Sequence, residues 1–261
     1  MNGGERGGKC GHPLQILLLM AGAGRRFSGA GITIPKPFLE VEGVPMFRHS
    51  LLGLQDLPLD PHVSLVAREE HRAWFETPFA APLSRERIVL LPEVTSGPLE
   101  SAWLASQALS PGESLGVLDC DLSFRCRRLG SALDHFGDEP APQALLLSFV
   151  SREPRYSFLV PAGRSVIQVA EKKAISGRAI AGCYFFASVA LFRSLAEEVL
   201  FREGRPQESE PFLSAAISLL LQRGERVEWL PLDHYRSFGT PDELAASLRE
   251  GPEDSERSTP L

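Results

Sequence analysis

The chain has 261 residues, of which 43% are hydrophobic and 23% are charged, and its formal net charge is −6 at pH 7. This length supports a substantial buried core, and the composition is that of an ordinary globular protein. The acidic balance argues against nonspecific binding to nucleic acid or to an anionic membrane surface, while it leaves room for a local basic pocket. We therefore expect neither nucleic acid nor membrane among its partners.

The ends of the chain and its cysteines point to a cytoplasmic protein. Residues 1–13 lack the apolar core of a signal peptide, and no apolar run approaches the roughly 20 residues that a membrane-spanning helix needs. The four cysteines include no C-x-x-C pair, which is typical of reduced thiols rather than of a zinc or dithiol site. We expect flexible tails at residues 1–13 and 251–261, with a single domain over residues 14–250.

Apolar runs bounded by turn residues predict the elements of the fold. In chain order they are a strand at 14–20, a helix at 45–57, a strand at 62–67, a helix at 68–76, a strand at 87–91, a helix at 99–109, strands at 114–118 and 144–150, a hairpin of 156–160 with 165–170, a strand at 180–186, helices at 189–202 and 211–223, a strand at 226–232 and a closing helix at 241–249. In the first half strands and helices alternate, which is typical of an α/β sheet with parallel strands.

A glycine-rich turn follows the first predicted strand. It contains Gly22, Gly24 and Arg26, and a lysine between two prolines, Lys36, comes ten residues later. Glycine lets backbone N–H groups approach an anion, arginine offers a forked donor to phosphate oxygens, and lysine supplies a compact charge. The P-loop pattern is absent, and Phe27 stands where the dinucleotide fingerprint needs its third glycine. The residues therefore predict a phosphate-binding loop that is neither a P-loop nor a dinucleotide-binding turn.

The order G-x-G-x-R, P-K-P and P-M, from Gly22 to Met46, resembles the signature of the sugar-phosphate nucleotidyltransferases, also called NTP transferases. The variant here is similar to the subgroup found in capsule and surface-polysaccharide gene clusters, some members of which put CMP onto phosphorylated small molecules other than sugars. The resemblance covers about residues 14–248. It implies a three-layer, Rossmann-like α/β fold of the GT-A type with a mixed, mainly parallel central sheet.

The resemblance also implies a reaction and the residues that carry it. An NMP, with CTP preferred as its source, passes from an NTP to a phosphorylated sugar or another small phosphorylated acceptor, and pyrophosphate leaves. Arg26, Lys36 and Asp121 are implied to be catalytic, with Asp121 as the ligand of Mg²⁺, which suits a hard carboxylate near phosphate. The implied nucleotide-binding residues are Met20, Ala21, Gly22, Ala23, Gly24, Thr95, Ser96 and Gly97.

The acceptor side matches the family in a later block. Glu171, Lys172 and Gly182 correspond to residues that face the acceptor in relatives, so the resemblance implies that they bind the substrate. Leu99 and Glu100 depart from the family, because small residues are usual at these positions beside the turn that reads the base. The identity of the base is therefore left open.

A second departure concerns the metal. Ser237 stands where sugar-nucleotide-forming relatives place an aspartate, the second metal ligand. Asp233 or Glu210 could take its place, but the sequence does not decide between them.

Two other functions stay open on the sequence alone. Asp119 and Asp121 form a D-x-D pair, which holds the metal of a nucleotide sugar in glycosyltransferases of similar fold. Those enzymes do not need the loop from Arg26 to Lys36, because pyrophosphate stays on their donor. A nucleotide-binding protein without turnover is the other alternative, and Ser237, Leu99 and Glu100 are the features that keep it open. The oligomeric state is not predicted.

Overall fold

The structure is a computed structural model that describes residues 13–55, 57, 60–82, 86–134, 141–204 and 210–254. The predicted N-terminal tail, apart from residue 13, and residues 255–261 of the predicted C-terminal tail lie outside the described residues. The single-domain prediction for residues 14–250 stays a prediction.

The strands are β1 Leu14–Leu19, β2 Glu40–Val41, β3 Val44–Pro45, β4 His62–Arg68, β5 Glu86–Leu91, β6 Ser114–Asp119, β7 Leu122–Arg125, β8 Ala144–Val150, β9 Phe158–Ala162, β10 Ser165–Ala170, β11 Arg178–Phe186, β12 Val227–Pro231 and β13 His234–Ser237. The helices are α1 Arg25–Gly29, α2 Met46–Leu52, α3 Arg72–Phe75, α4 Pro98–Ser106, α5 Leu129–Leu133, α6 Val189–Leu200, α7 Leu213–Gln222 and α8 Pro241–Asp254. Single 3₁₀ turns lie at Lys36–Phe38 and Glu69–His71. Among the helices that the structure describes, none has the length and apolar character of a membrane span.

The central sheet is mixed. In the described part of the chain it has nine strands in the order β5-β4-β1-β6-β11-β8-β12-β10-β9. The register pairs show that β10 and β11 run against the other seven strands. The predicted mixed sheet is thus present, with seven strands in one direction but four parallel and five antiparallel pairings, and the predicted hairpin is β9 with β10.

The sheet is covered on both faces, which gives three layers. In β1 all six residues are buried, because alternate side chains enter opposite cores. Leu17 and Leu19 join a core that includes Phe192 of α6 and Ile217 of α7, whereas Ile16 and Leu18 join the opposite core. That second core is completed by apolar side chains of α2, α3 and α5.

Several predicted boundaries were wrong for reasons of packing. The helix predicted at 45–57 ends at Leu52, and Gly53 follows because a Cβ there would clash with the Phe124 ring. The helix predicted at 68–76 is a 3₁₀ turn followed by the short α3. The closing helix continues to Asp254, so residues 251–254 of the predicted tail are helical. The pairs β2–β3 and β7–β13 were not predicted, since these strands are only two to four residues long and show no apolar run.

Candidate active site

A cleft of about 830 Å³ opens at the carboxyl ends of β1 and β6. This is the edge of an α/β sheet at which ligands usually bind. Every residue that the sequence predicted for the site lines the cleft: Met20, Ala21, Gly22, Ala23, Gly24, Arg26, Lys36, Thr95, Ser96, Gly97, Asp121, Glu171, Lys172 and Gly182. Glu210 and Ser237 also line it. Asp233 does not; it accepts hydrogen bonds from Arg127 instead.

The glycine-rich turn forms one wall of the cleft. Gly24 has a left-handed backbone with φ of +61°, and its carbonyl accepts hydrogen bonds from the N–H groups of Phe27 and Ser28 at the start of α1. Gly22 has open space around the position of a Cβ. The N–H groups of Gly22, Ala23 and Gly24 make no hydrogen bond within the described residues, so they are available to an anion in the cleft.

Lys36 and Asp121 meet at the centre of the cleft. The Lys36 ammonium donates to Asp121 Oδ2, and the two side chains are 20% and 23% exposed. Burial lowers the pKa of Lys36, but attraction to Asp121 and Asp119 outweighs it and leaves that pKa raised. Lys36 therefore stays positively charged in neutral solution. The same ammonium lies 5.8 Å from the centroid of the Phe27 ring.

A second carboxylate, Asp119, lies at the end of β6 and faces Gly182. Gly182 has φ of +68° within an irregular stretch of β11, and a Cβ there would collide with Asp119 Oδ2. Burial raises the pKa of Asp119 to about 7, with repulsion from Asp121 and Glu171 in the same direction and Lys36 opposing it. Glycine at position 182 is thus required by the close approach of this carboxylate.

The acidic groups of the cleft fit a magnesium ion that enters with phosphate. Among the described residues no three His, Cys, Asp or Glu side chains converge as a metal cluster. Mg²⁺, however, is often bound by one or two carboxylates, with phosphate and water completing its shell. Asp121, with Asp119 close enough to repel it, offers such a partial set of oxygen ligands.

Glu171 and Lys172 also line the cleft. The Glu171 carboxylate accepts hydrogen bonds from the hydroxyls of Ser157 and Ser214, the second at 2.7 Å. Lys172 has φ of +52°, unusual for a residue with a side chain. Its ammonium lies 4.2 Å from the centroid of the Phe212 ring. These contacts fix both side chains at the cleft before any substrate binds.

The segment predicted to read the base is held by its own side chains. Glu100 accepts hydrogen bonds from the Ser96 backbone N–H at 2.5 Å and from the Ser96 hydroxyl at 2.7 Å. The Thr95 hydroxyl lies 2.6 Å from that of Ser101. Glu100, a departure from the family pattern, therefore holds the loop before α4 through its bonds to Ser96.

Sequence reasoning missed a cluster at the mouth of the cleft. The Arg155 guanidinium donates to Glu243 Oε1 at 2.6 Å, and the Tyr156 hydroxyl donates to the same oxygen at 2.8 Å. A Cβ on Gly239 would lie 3.1 Å from Asp121 Oδ2 and 3.2 Å from Glu243 Oε2, so these carboxylates flank one glycine. Ser237 was considered as a site position in the sequence, whereas Glu243, which lies six residues later, was not.

Comparisons with known proteins show which family the chain belongs to. The model of the MobA-like NTP transferase domain matches residues 16–182. A nucleoside-diphosphate-sugar pyrophosphorylase from Vibrio cholerae RC9 superposes with a TM-score of 0.72 at 27% identity, covering 90% of this chain and 99% of that one. The inositol-1-phosphate CTP transferase from T. maritima has a TM-score of 0.71 at 15% identity, over 96% of this chain and 99% of that one. No curated protein matches the chain.

The chain belongs to the NTP transferase family with a MobA-like domain. Its fold is the Rossmann-like α/β fold of the nucleotidyltransferases, and it is an enzyme of the nucleotidyltransferase class. The predictions of family, fold class and enzyme class are confirmed. Membership of the capsule-cluster subgroup stays a prediction.

Proposed function

We propose that the protein transfers an NMP group from an NTP to a small phosphorylated acceptor and releases pyrophosphate. An oxygen of the acceptor phosphate forms a bond to the α-phosphorus, the bond between that phosphorus and the bridging oxygen to the β-phosphate breaks, and pyrophosphate leaves with the electron pair. The observation that carries the proposal is the placement of Lys36 and Asp121 in contact beside the free N–H groups of the glycine-rich turn.

On the nucleotide side, the residues hold and neutralise phosphate. The N–H groups of Gly22 to Gly24 bind phosphate oxygens, and Arg26, exposed at the mouth, binds the leaving pyrophosphate as a forked donor. Lys36 gives up its contact with Asp121 to stabilise the charge that grows on the transferred phosphoryl group. Mg²⁺ on Asp121 supplies further positive charge when it is bound. Thr95 to Gly97 contact the base.

On the acceptor side, the cleft presents fixed groups of both charges. Lys172 lies 3.6 Å from Glu210, and Arg155 is paired with Glu243, so each cation reaches the cleft together with a carboxylate. Glu171 adds an acceptor for hydroxyl or amine groups of the substrate. An acceptor panel should therefore contain sugar phosphates and also phosphate esters that carry an amine.

The test is release of pyrophosphate in a matrix of five NTPs and the acceptor panel. We expect one NTP, with CTP first in line, to give turnover that requires both the acceptor and Mg²⁺. Replacing Lys36 with Met should lower kcat by about 10²- to 10³-fold, because one preorganised charge is lost at the phosphoryl centre. Lys173→Met is the matched control, since Lys173 is exposed and does not line the cleft.

Two results would contradict the proposal. If Lys36→Met turned over as fast as the wild type, Lys36 would have no catalytic role. If a nucleotide sugar gave a nucleoside diphosphate and no NTP gave pyrophosphate, the protein would be a glycosyltransferase.

A further inference from the structure

The strand β13 has two different faces. Tyr235 and Ser237 line the cleft, whereas Arg236, between them, is buried on the other side of the strand and is 7% exposed. This alternation follows from the two-residue period of a β-strand. Strand β13 pairs with β7, the strand that directly follows Asp121, and Ser237 is opposite Leu122. Arg236 therefore lies behind the part of the cleft wall that contains Asp121.

The partner of Arg236 is Glu42, almost 200 residues away in sequence. Arg236 Nη2 donates to Glu42 Oε1 at 2.7 Å, and Nη1 donates to Glu42 Oε2 at 3.2 Å. Nη2 also donates to the Ser247 carbonyl of α8 at 2.8 Å, and the guanidinium lies 5.4 Å from the centroid of the Phe238 ring. A bidentate arginine–carboxylate pair fixes the relative orientation of the two side chains as well as their distance.

The backbone at Glu42 shows that this residue is not an ordinary turn residue. Glu42 and Gly43 form the two-residue turn between β2 and β3, with φ of +52° and +85°. Such turns favour Asn, Asp or Gly at their first central position, because other side chains are strained there. Asparagine would suit the backbone better, but its shorter side chain would not span the distance to Arg236.

A small core connects this pair to the catalytic groups. It consists of Phe27, Leu39, Val41, Met46 and Phe238. Leu39 and Val41 lie between Lys36 and Glu42 in the chain. At the other side of the core, the Phe238 N–H donates to the Asp121 carbonyl at 2.7 Å.

We propose that Arg236 and Glu42 are positioning residues that hold the chain segment of Lys36 against the segment of Asp121. This inference rests on the proposed function for its kinetic consequence. Glu42 lies in the β2–β3 turn, six residues after Lys36, and Arg236 lies in β13. The residue after β13, Phe238, is hydrogen-bonded to the Asp121 carbonyl, so the ion pair connects the two segments. Neither residue contacts the cleft, so their effect on the reaction is indirect.

The test removes both partners together. Loss of Glu42 alone would leave the buried charge of Arg236 without its partner, which is destabilising in itself, whereas removal of both is much better tolerated. The double variant Glu42→Asn/Arg236→Met also places the preferred residue in the turn. The matched control is Arg127→Met/Asp233→Asn. Arg127 and Asp233 form an ion pair at the other end of the β7–β13 pair, away from Lys36.

Two readouts follow each variant. In steady-state kinetics, we expect the double variant to lose about 10- to 100-fold in kcat with the KM for NTP changed by less than about threefold, because phosphate-binding groups stay while Lys36 and Asp121 lose their alignment. The second readout is the rate at which Lys36 is acetylated by limiting acetic anhydride, measured by mass spectrometry. The chain has four lysines, so Lys172 and Lys173 serve as internal references.

The labelling rate of Lys36 should rise by about tenfold in the double variant and stay unchanged in the control, since an ammonium that is no longer held by the Asp121 carboxylate is more accessible to the reagent. Arg236→Lys keeps the positive charge but not the bidentate contact. We expect its kcat and its Lys36 labelling rate to lie between those of the wild type and the double variant. The inference is wrong if the double variant, folded by circular dichroism, matches the control in both readouts. If the wild type itself releases no pyrophosphate, the proposed function fails, and the labelling comparison still decides the role of Arg236 and Glu42.

Discussion

Replacement of Gly182 by alanine gives a sharp test of how the cleft is built. The new Cβ would meet two penalties: a left-handed backbone with φ of +68°, and a collision with the Asp119 carboxylate. The first costs about 1–2 kcal/mol and the second, as overpacking, about 1–3 kcal/mol. Together they predict a loss of about 2–5 kcal/mol in the free energy of unfolding, which for a chain of this size lowers Tm by about 5–15 °C.

The matched control for this variant is Gly163→Ala. Gly163 has a nearly identical φ of +60°, but nothing lies within 4 Å of a Cβ built there. The control carries the backbone penalty alone, so its Tm should fall by about 2–6 °C. Thermal unfolding followed by circular dichroism measures both. If Gly182→Ala lost no more stability than Gly163→Ala, the close approach of Asp119 to Gly182 would be wrong.

Three further predictions concern other parts of the chain. Gly22→Ala should leave Tm within about 2 °C of the wild type, because a Cβ there meets nothing within 4 Å. The added methyl group should nevertheless weaken nucleotide binding, measured by calorimetry, by about tenfold or more, because it occupies space that the phosphates need beside the backbone. Lys172→Met should raise the KM for the acceptor by about tenfold and leave the KM for NTP unchanged; an equal rise in both would contradict an acceptor role. Burial lowers the pKa of His71 to about 4, below the 6.5 of the unfolded chain, so its contribution to stability is complete above pH 6.5 and is lost as the pH falls to 4. Denaturant unfolding should show a loss of up to about 3 kcal/mol across that window, and His71→Asn should flatten it.

The first half of the fold could be predicted from the sequence because its central strands, β1 and β6, are buried on both faces. An unbroken apolar run such as that of β1, ended by a glycine-rich turn, is typical of a strand inside a parallel sheet. The pairs β2–β3 and β7–β13 could not be predicted in this way. These strands are short and contain polar or exposed residues. Their pairing is set by tertiary contacts, such as the hydrogen bond that the Phe238 N–H donates to the Asp121 carbonyl.

The site residues likewise divide into those that a local sequence pattern predicted and those that depend on contacts between distant positions. Residues that recur in an ordered local pattern, from Gly22 to Lys36, were predicted and do line the cleft. Arg155 and Glu243 were missed because their importance depends on a contact between positions 88 residues apart. For a second metal ligand the sequence left Asp233 or Glu210 open; Asp233 does not line the cleft, whereas Glu210 does, and Glu243, which the sequence did not offer, flanks Gly239 together with Asp121.

The central claim is that an NMP leaves the NTP and pyrophosphate is the other product. The most direct measurement uses the NTP that supports turnover, labelled with ³²P at the α-position in one reaction and at the γ-position in another. The account predicts that the α-label appears in the acceptor product and the γ-label in pyrophosphate, each in proportion to the acceptor consumed, and that Lys36→Met slows the appearance of both by about 10²- to 10³-fold. Recovery of the γ-label in the acceptor product, or of the α-label in a free nucleoside diphosphate, would contradict it.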